Sequence, residues 1–269
     1  MKSIIKYTML GLGALLFAYP FLWMVASSLK PEAEIGGFGL WSSHFTTYNY
    51  EQVLTRIPLG RAFLNSIIVS VSSTLSVVVF GSMVGYALAR LRFTGRGILY
   101  AVVLFTMTLP FQVTLIPQYI LMVKLGITDT YLALVAPTLM TAFSIILFRQ
   151  FFLYVPQAFI DAARIDGCSE LRILYRVIWP LSRPVVITVS ILTFMSSWNE
   201  VLWPLIVVRN RLLMTMPQLV TIFTIGGEAE SLLGLKLAAA TLLALPIIIA
   251  YSFLQRYFIE SMASTGIKG

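Results

Sequence analysis

The sequence predicts an all-α integral membrane protein of six transmembrane helices, on three observations. Hydrophobic residues make up 58% of its 269 residues and charged ones 11%, with a mean hydropathy of +0.88. Soluble domains carry about 25% charge, so a water-soluble fold of this composition would leave wide apolar patches exposed. The apolar runs are about twenty residues or longer, the length a helix needs to cross a hydrocarbon core about 30 Å thick. They do not alternate in polarity, as the roughly ten-residue strands of an outer-membrane barrel do.

Six segments qualify, at about 7–29, 63–89, 98–122, 131–152, 185–208 and 232–255. Lys2 and Lys6 precede the first, and Ala26, Ser27 and Ser28 close it, flanks that a cleaved signal peptide shares. Its apolar run exceeds the roughly 7–15 residues of a signal core, so it reads as a retained anchor. Residues 30–61 form a long segment outside the spans, with Pro31, Gly36, Gly37 and Gly39 among the aromatics Trp41, Phe45, Tyr48 and Tyr50. It either docks an external partner or caps the bundle. Pro110 and Pro117 interrupt the third segment, and proline removes a backbone donor and clashes with the preceding turn. Such breaks persist in membranes where neighbouring helices or a wet cavity satisfy the freed carbonyls. The two prolines therefore either shape the bundle or line a pathway.

The net charge of +8 sits in short loops, which speaks for orientation and not for nucleic acid. With a cytoplasmic N-terminus, the inner regions hold Lys2, Lys6, Arg90, Arg92, Arg96, Arg149, Arg164, Arg172, Arg176, Arg183, Arg256 and Lys268. The outer ones hold only Lys30, Arg56, Arg61, Lys124, Arg209, Arg211 and Lys236. Lysine and arginine accumulate on the cytoplasmic side, so both termini are expected there. One cysteine, Cys168, excludes an internal disulfide, and one histidine, His44, leaves no His/Cys metal cluster. No lysine follows a glycine, so no phosphate-binding G-x-x-x-x-G-K-[ST] loop exists. With no acid/base constellation either, the chain is not expected to be an enzyme, to bind a cofactor or metal, or to hold ATP itself.

The polar stretch at 156–184 exceeds what a connector between spans needs. Pro156 suits the first turn of a helix. Asp166-Gly167 reads as a turn, since glycine takes positive φ cheaply. A second helix is expected from Ser169 or Glu170 to Ile178, ended by Pro180 and Pro184. Ala162, Ala163 and Gly167 would form a small-residue notch that another protein can approach closely. A membrane-surface amphipathic helix fits the pattern nearly as well.

Asp161-Ala162-Ala163-x-x-Asp166-Gly167-Cys168, followed by Ile178-x-Pro180-x-x-x-Pro184, resembles the EAA loop of importer-type ABC permeases. Asn65-Ser66, the run from Tyr86 to Phe93, Pro117, Trp198-Asn199-Glu200 with Pro204, Leu245-Pro246, Gln255-Arg256-Tyr257-Phe258 and the closing Lys268-Gly269 agree in order. Together they resemble the carbohydrate-uptake permeases, similar to the smaller membrane subunit of the maltose transporter. Asp161 stands where that family has glutamate, Cys168 replaces alanine, Trp179 replaces leucine, and Glu260-Ser261-Met262 replaces glycine-rich sequence.

The resemblance implies a type I ABC importer permease fold. Residues 1–61 would be a first helix with its external segment, 62–256 the permease domain, and 257–269 a cytoplasmic tail. It further implies a second homologous permease, two ATPase subunits that carry ATP and Mg, an extracytoplasmic solute-binding protein, and a bacterial or archaeal inner membrane. Asp161, Ala162, Ala163, Asp166, Gly167 and Cys168 would meet the ATPase, with Cys168 a packing residue.

Glu200 lies about 22 Å along the fifth segment, where an acid usually faces the bundle interior or a cavity. With Trp198 and Asn199 it offers a ring and hydrogen-bonding groups to a sugar on a substrate path. Alternatively, Trp198 packs between helices and Asn199 or Glu200 caps a break near Pro204. An ATP-independent secondary transporter or channel is the competing function. It would call for inverted repeats or several intramembrane acids, and only Glu200 is a fair candidate.

Overall fold

A computed structural model describes the backbone of residues 2–227, 229 and 232–266, and side chains over 5–227, 229, 232–249 and at 252. Lys268 and Gly269, with the side chains of Gln255, Arg256, Tyr257, Phe258, Glu260, Ser261 and Met262, lie outside that description. The described residues form helices and turns and no strand. Their contacts divide the chain into two units, one of residues 1–61 with 216–252, the other of 62–215 with 253–269.

The first unit holds α1 (Lys2–Ser28) and α2 (Tyr48–Arg56). The second opens within α3 (Leu59–Arg90) and continues through α4 (Arg96–Thr108), α5 (Phe111–Lys124), α6 (Tyr131–Val135) and α7 (Ala142–Leu153). After α7 come α8 (Gln157–Ile165), α9 (Glu170–Ile173), α10 (Trp179–Leu181), α11 (Arg183–Trp198) and α12 (Leu202–Val207). α13 (Met216–Ile225) returns to the first unit, which α14 (Leu233–Gly266) leaves again near its middle.

Only Ile5–Ser28 of α1 and the whole of α3 are unbroken helices long and apolar enough to cross a membrane; counting each bent pair as one span raises the number to five among the described residues. Three of the six expected segments are therefore not continuous helices. The third bends by 104° between α4 and α5. Pro110 forces Leu109 out of the helical region, to ψ 117°. Pro117, by contrast, stays inside α5. The fourth bends by 47° after a short 3₁₀ turn at Ala136–Thr138, and Thr141 restarts it by accepting the Ser144 N–H at 3.2 Å. The fifth stops at Trp198 and resumes at Leu202.

In the second unit the core joins α3, α7 and the segment 156–184. Val77, Tyr86, Ala89, Phe148, Phe152, Ile160, Ile173, Leu174, Ile178, Val185 and Val189 form one buried cluster. α3 and α7 meet closely because Gly81 and Gly85 lack side chains. A Cβ on Gly85 would lie 2.7 Å from the Phe148 Cβ and 3.1 Å from the Arg149 backbone nitrogen. This is the small-x-x-x-small contact that membrane helices use where the hydrophobic effect supplies no drive.

Candidate functional site

Pro156 (φ −59°, ψ 134°) stands just ahead of α8, and the helix ends in a Schellman motif. The Cys168 N–H reaches back to the Ala163 carbonyl and the Gly167 N–H to that of Arg164, both at 3.0 Å. Gly167 sits at φ +74°, the left-handed conformation this cap requires. The second helix begins at Glu170 as expected but does not stop at Ile178. A π-turn at Leu174–Ile178 shifts its hydrogen bonding, so Pro180 falls in the opening turn of α10, where its missing donor costs little. The break comes at Ser182, and Pro184 starts α11 instead of ending its predecessor.

The α8 face divides cleanly. Ile160 and Ala163 point into the core, Ala163 at 8% exposure, while Phe159, Asp161, Ala162, Ile165 and Asp166 are exposed. The expected notch thus keeps Ala162 and Gly167 but not Ala163, which lies about 100° further round the helix and turns into the core. Cys168 is half-buried and packs against the core cluster. The Asp161 carboxylate accepts from Gln157 Nε2 at 2.9 Å and pairs with Arg164 at 3.6 Å.

Three residues of α3 at four-residue spacing hold this segment to the bundle, and none was assigned that role from sequence. Ser82 Oγ accepts from Trp179 Nε1 at 3.1 Å. The Tyr86 hydroxyl donates to Glu170 Oε2 at 2.5 Å. The Arg90 guanidinium donates to the Phe152 carbonyl at 2.6 and 2.9 Å, to the Val155 carbonyl, and to Gln157 Oε1 at 3.0 Å. It thereby adds a second partner to the Phe152 carbonyl, which also accepts the Val155 N–H at 3.3 Å, and ties down the chain just past the C-terminus of α7. The Arg164 guanidinium completes the lock on Glu170 at 2.9 Å and, by that hydrogen bond, holds its carboxyl below the ordinary value. The legible signal was the i, i+4, i+8 register of Ser82, Tyr86 and Arg90, one face of a helix.

At the α11–α12 break, Trp198 is 4% exposed, stacks on Phe194 at 5.7 Å and meets Phe63 edge-on at 5.8 Å. The exposed Asn199 donates its side-chain amide to the Met195 carbonyl at 2.8 Å. Glu200 Oε1 accepts the Trp203 N–H at 3.1 Å, which caps the free end of α12. These are the contacts of a packed tryptophan and a capped break. At the far end of α3, Asn65 accepts from the Tyr131 hydroxyl at 2.6 Å and donates to the Leu212 and Met214 carbonyls, each at 2.9 Å.

Comparison with known proteins bears on the same residues. The family model described as the binding-protein-dependent transport system inner membrane component matches residues 77–264. The arabinooligosaccharides transport system permease protein AraQ of Halalkalibacterium halodurans is 35% identical, over 95% of this chain and 93% of its own. The lactose transport system permease protein LacG of Rhizobium radiobacter is 28% identical, over 97% and 95%. Among solved structures, a chain of a bacterial ABC transporter involved in the import of the acidic polysaccharide alginate superposes with a TM-score of 0.81 at 26% identity, covering 95% of this chain and 96% of that one. The two-helix segment built onto α3 and α7 is thus part of a fold shared almost end to end, and the chain belongs to the inner membrane component family of binding-protein-dependent transport systems.

Proposed function

We propose that this chain forms half of the translocation pathway of an ATP-driven, binding-protein-dependent importer of a sugar or related polyol, and that residues 156–184 couple it to a cytoplasmic ATPase. A second homologous permease, two ATPase subunits holding ATP and Mg, and an extracytoplasmic binding protein complete the assembly in a bacterial or archaeal inner membrane. Both termini are cytoplasmic. The observation that carries the reading is Ile165, 86% exposed on a segment whose opposite face is held in the bundle core. Phe159, Asp161, Ala162 and Asp166 share the exposed side. A rigid knob with an unburied isoleucine at its tip is built for a partner's groove.

The carbohydrate class follows the relatives, named for arabinooligosaccharides, lactose and sn-glycerol-3-phosphate. Energetically, ATP need only favour one state of the assembly. About 5.5 kcal/mol of differential binding carries a two-state population from 1:99 to 99:1. The segment would pass that bias on through its hydrogen bonds to α3 and its packing against α7. Asn199, exposed at the α11–α12 break, would offer its amide to a passing hydroxyl, with Glu200 and Trp198 holding the break in shape.

Ile165→Asp tests the coupling surface. Burying an isoleucine is worth about 1.5–3 kcal/mol, so the aspartate should weaken ATPase retention at least about tenfold. Co-purification and substrate-stimulated ATP hydrolysis should fall together, with the melting temperature of the membrane subunits unchanged. Full retention of the ATPase by that variant would refute the assignment.

A further inference from the structure

We infer that residues 35–41 fold back alongside α1 into the membrane interface and present Phe38 and Trp41 to lipid. This site is independent of the transport reading. The two aromatics are 85% and 86% exposed, and the stretch Ile35-Gly36-Gly37-Phe38-Gly39-Leu40-Trp41 contains no charge and no hydroxyl.

Its backbone shows where it lies. Three successive carbonyls each accept from a side chain: Gly37 from Trp23 Nε1 at 3.0 Å, Phe38 from the Tyr19 hydroxyl, and Gly39 from Lys30 Nζ at 2.5 Å. A loop in water has its carbonyls solvated without cost. A loop in hydrocarbon must have them satisfied by protein, each unpaired group costing several kcal/mol. Two of the donors belong to α1, whose Ile5–Ser28 stretch is apolar and has none of its best window buried. Tyr19 and Trp23 lie roughly 13 and 7 Å of helix rise short of Ser28, so the carbonyls they hold lie alongside the last turns of that apolar helix and not beyond its end.

The base of the loop is closed by polar groups that satisfy one another. The Glu34 carboxylate accepts from Ser42 Oγ at 2.6 Å, from the Ser43 N–H at 3.0 Å and from the Ser43 hydroxyl. The Glu34 charge is thus held at the base of the loop, and the Lys30 ammonium lies buried against Gly39, while the Phe38 and Trp41 rings stay exposed. Tryptophan and tyrosine gather at this level of a bilayer because their rings are apolar and their N–H or O–H groups are not. Here Tyr19 and Trp23 spend those groups on the loop, and Phe38 and Trp41 supply the area.

The test uses the assembled transporter in vesicles of phosphatidylcholine and phosphatidylglycerol. A nitroxide is placed at Phe38→Cys, or at Trp41→Cys as a second reporter, in a Cys168→Ser background. Collision with oxygen, which concentrates in lipid, should exceed collision with a water-soluble nickel chelate several-fold at both positions. Adding Tyr19→Phe and Trp23→Phe, which remove two carbonyl donors, should reverse that preference. A label that favours the nickel chelate from the outset places the loop in water and overturns the inference. A label shielded from both reagents does so too, since it means that another protein chain covers the patch.

Discussion

Gly167 is where one added side chain would most disturb segment 156–184, and the reason is conformational. A Cβ there would meet nothing within 4 Å, but φ is +74°, a region that costs an ordinary residue roughly 1–2 kcal/mol. Asparagine tolerates it and a β-branched residue does not. Gly167→Val should therefore release the Schellman cap and lower both ATPase co-purification and coupled hydrolysis, while Gly167→Asn should keep most of each. Equal loss in both variants would mean that the partner needs the glycine for close approach instead. At the same scale, Glu200 shows how one residue supports two readings. An acid at membrane depth signals a pathway on cost alone, yet its oxygen caps α12. The capping alternative is open from the sequence, and the Trp203 N–H three residues on is the group it meets.

Among the elements, α3 does most to position the site, carrying two adjacent stripes with different duties. Gly81 and Gly85 admit α7 to backbone contact, and Ser82, Tyr86 and Arg90 reach across to hold α10, α9 and the end of α7. The Glu170 lock makes this joint sensitive to acid. Its carboxyl is depressed chiefly by the Arg164 hydrogen bond. The stabilisation is accordingly complete above the ordinary glutamate value of about 4.3 and is lost as the pH falls through the lowered folded value. Amide protection over α8 and α9, relative to the intrinsic exchange rate at each pH, should be high at neutral pH and fall below about pH 4. Glu170→Gln, which keeps a hydrogen-bond acceptor for Tyr86 but loses the charge, should show partial acceleration already at neutral pH. Unchanged protection throughout would remove Glu170 from the joint.

For the whole molecule, the charge asymmetry predicts sides of the membrane. Thr94, in the arginine-rich turn after α3, and Leu125, at the end of α5, are both exposed. In a Cys168→Ser background, Thr94→Cys should react with an impermeant maleimide only in inside-out vesicles, and Leu125→Cys only in right-side-out ones. Labelling of both from one side would overturn the orientation. The α4–α5 bend of 104° bears on this result, because the direction of α5 decides where Leu125 emerges.

The apolar runs, the family and the long polar segment at 156–184 are legible in the residues alone. Hydropathy and charge add up along the chain, and the motif at 161–168 is contiguous. The proline at 110 likewise announced its own break, since its effect on Leu109 is covalent and local. The 104° angle of that break, the inward turn of Ala163 and the hold of α3 on the segment 156–184 were settled only by the fold. Each depends on which distant backbone or side chain a group meets, as Tyr86 meets Glu170 from 84 residues away, and a one-dimensional pattern holds no record of that meeting.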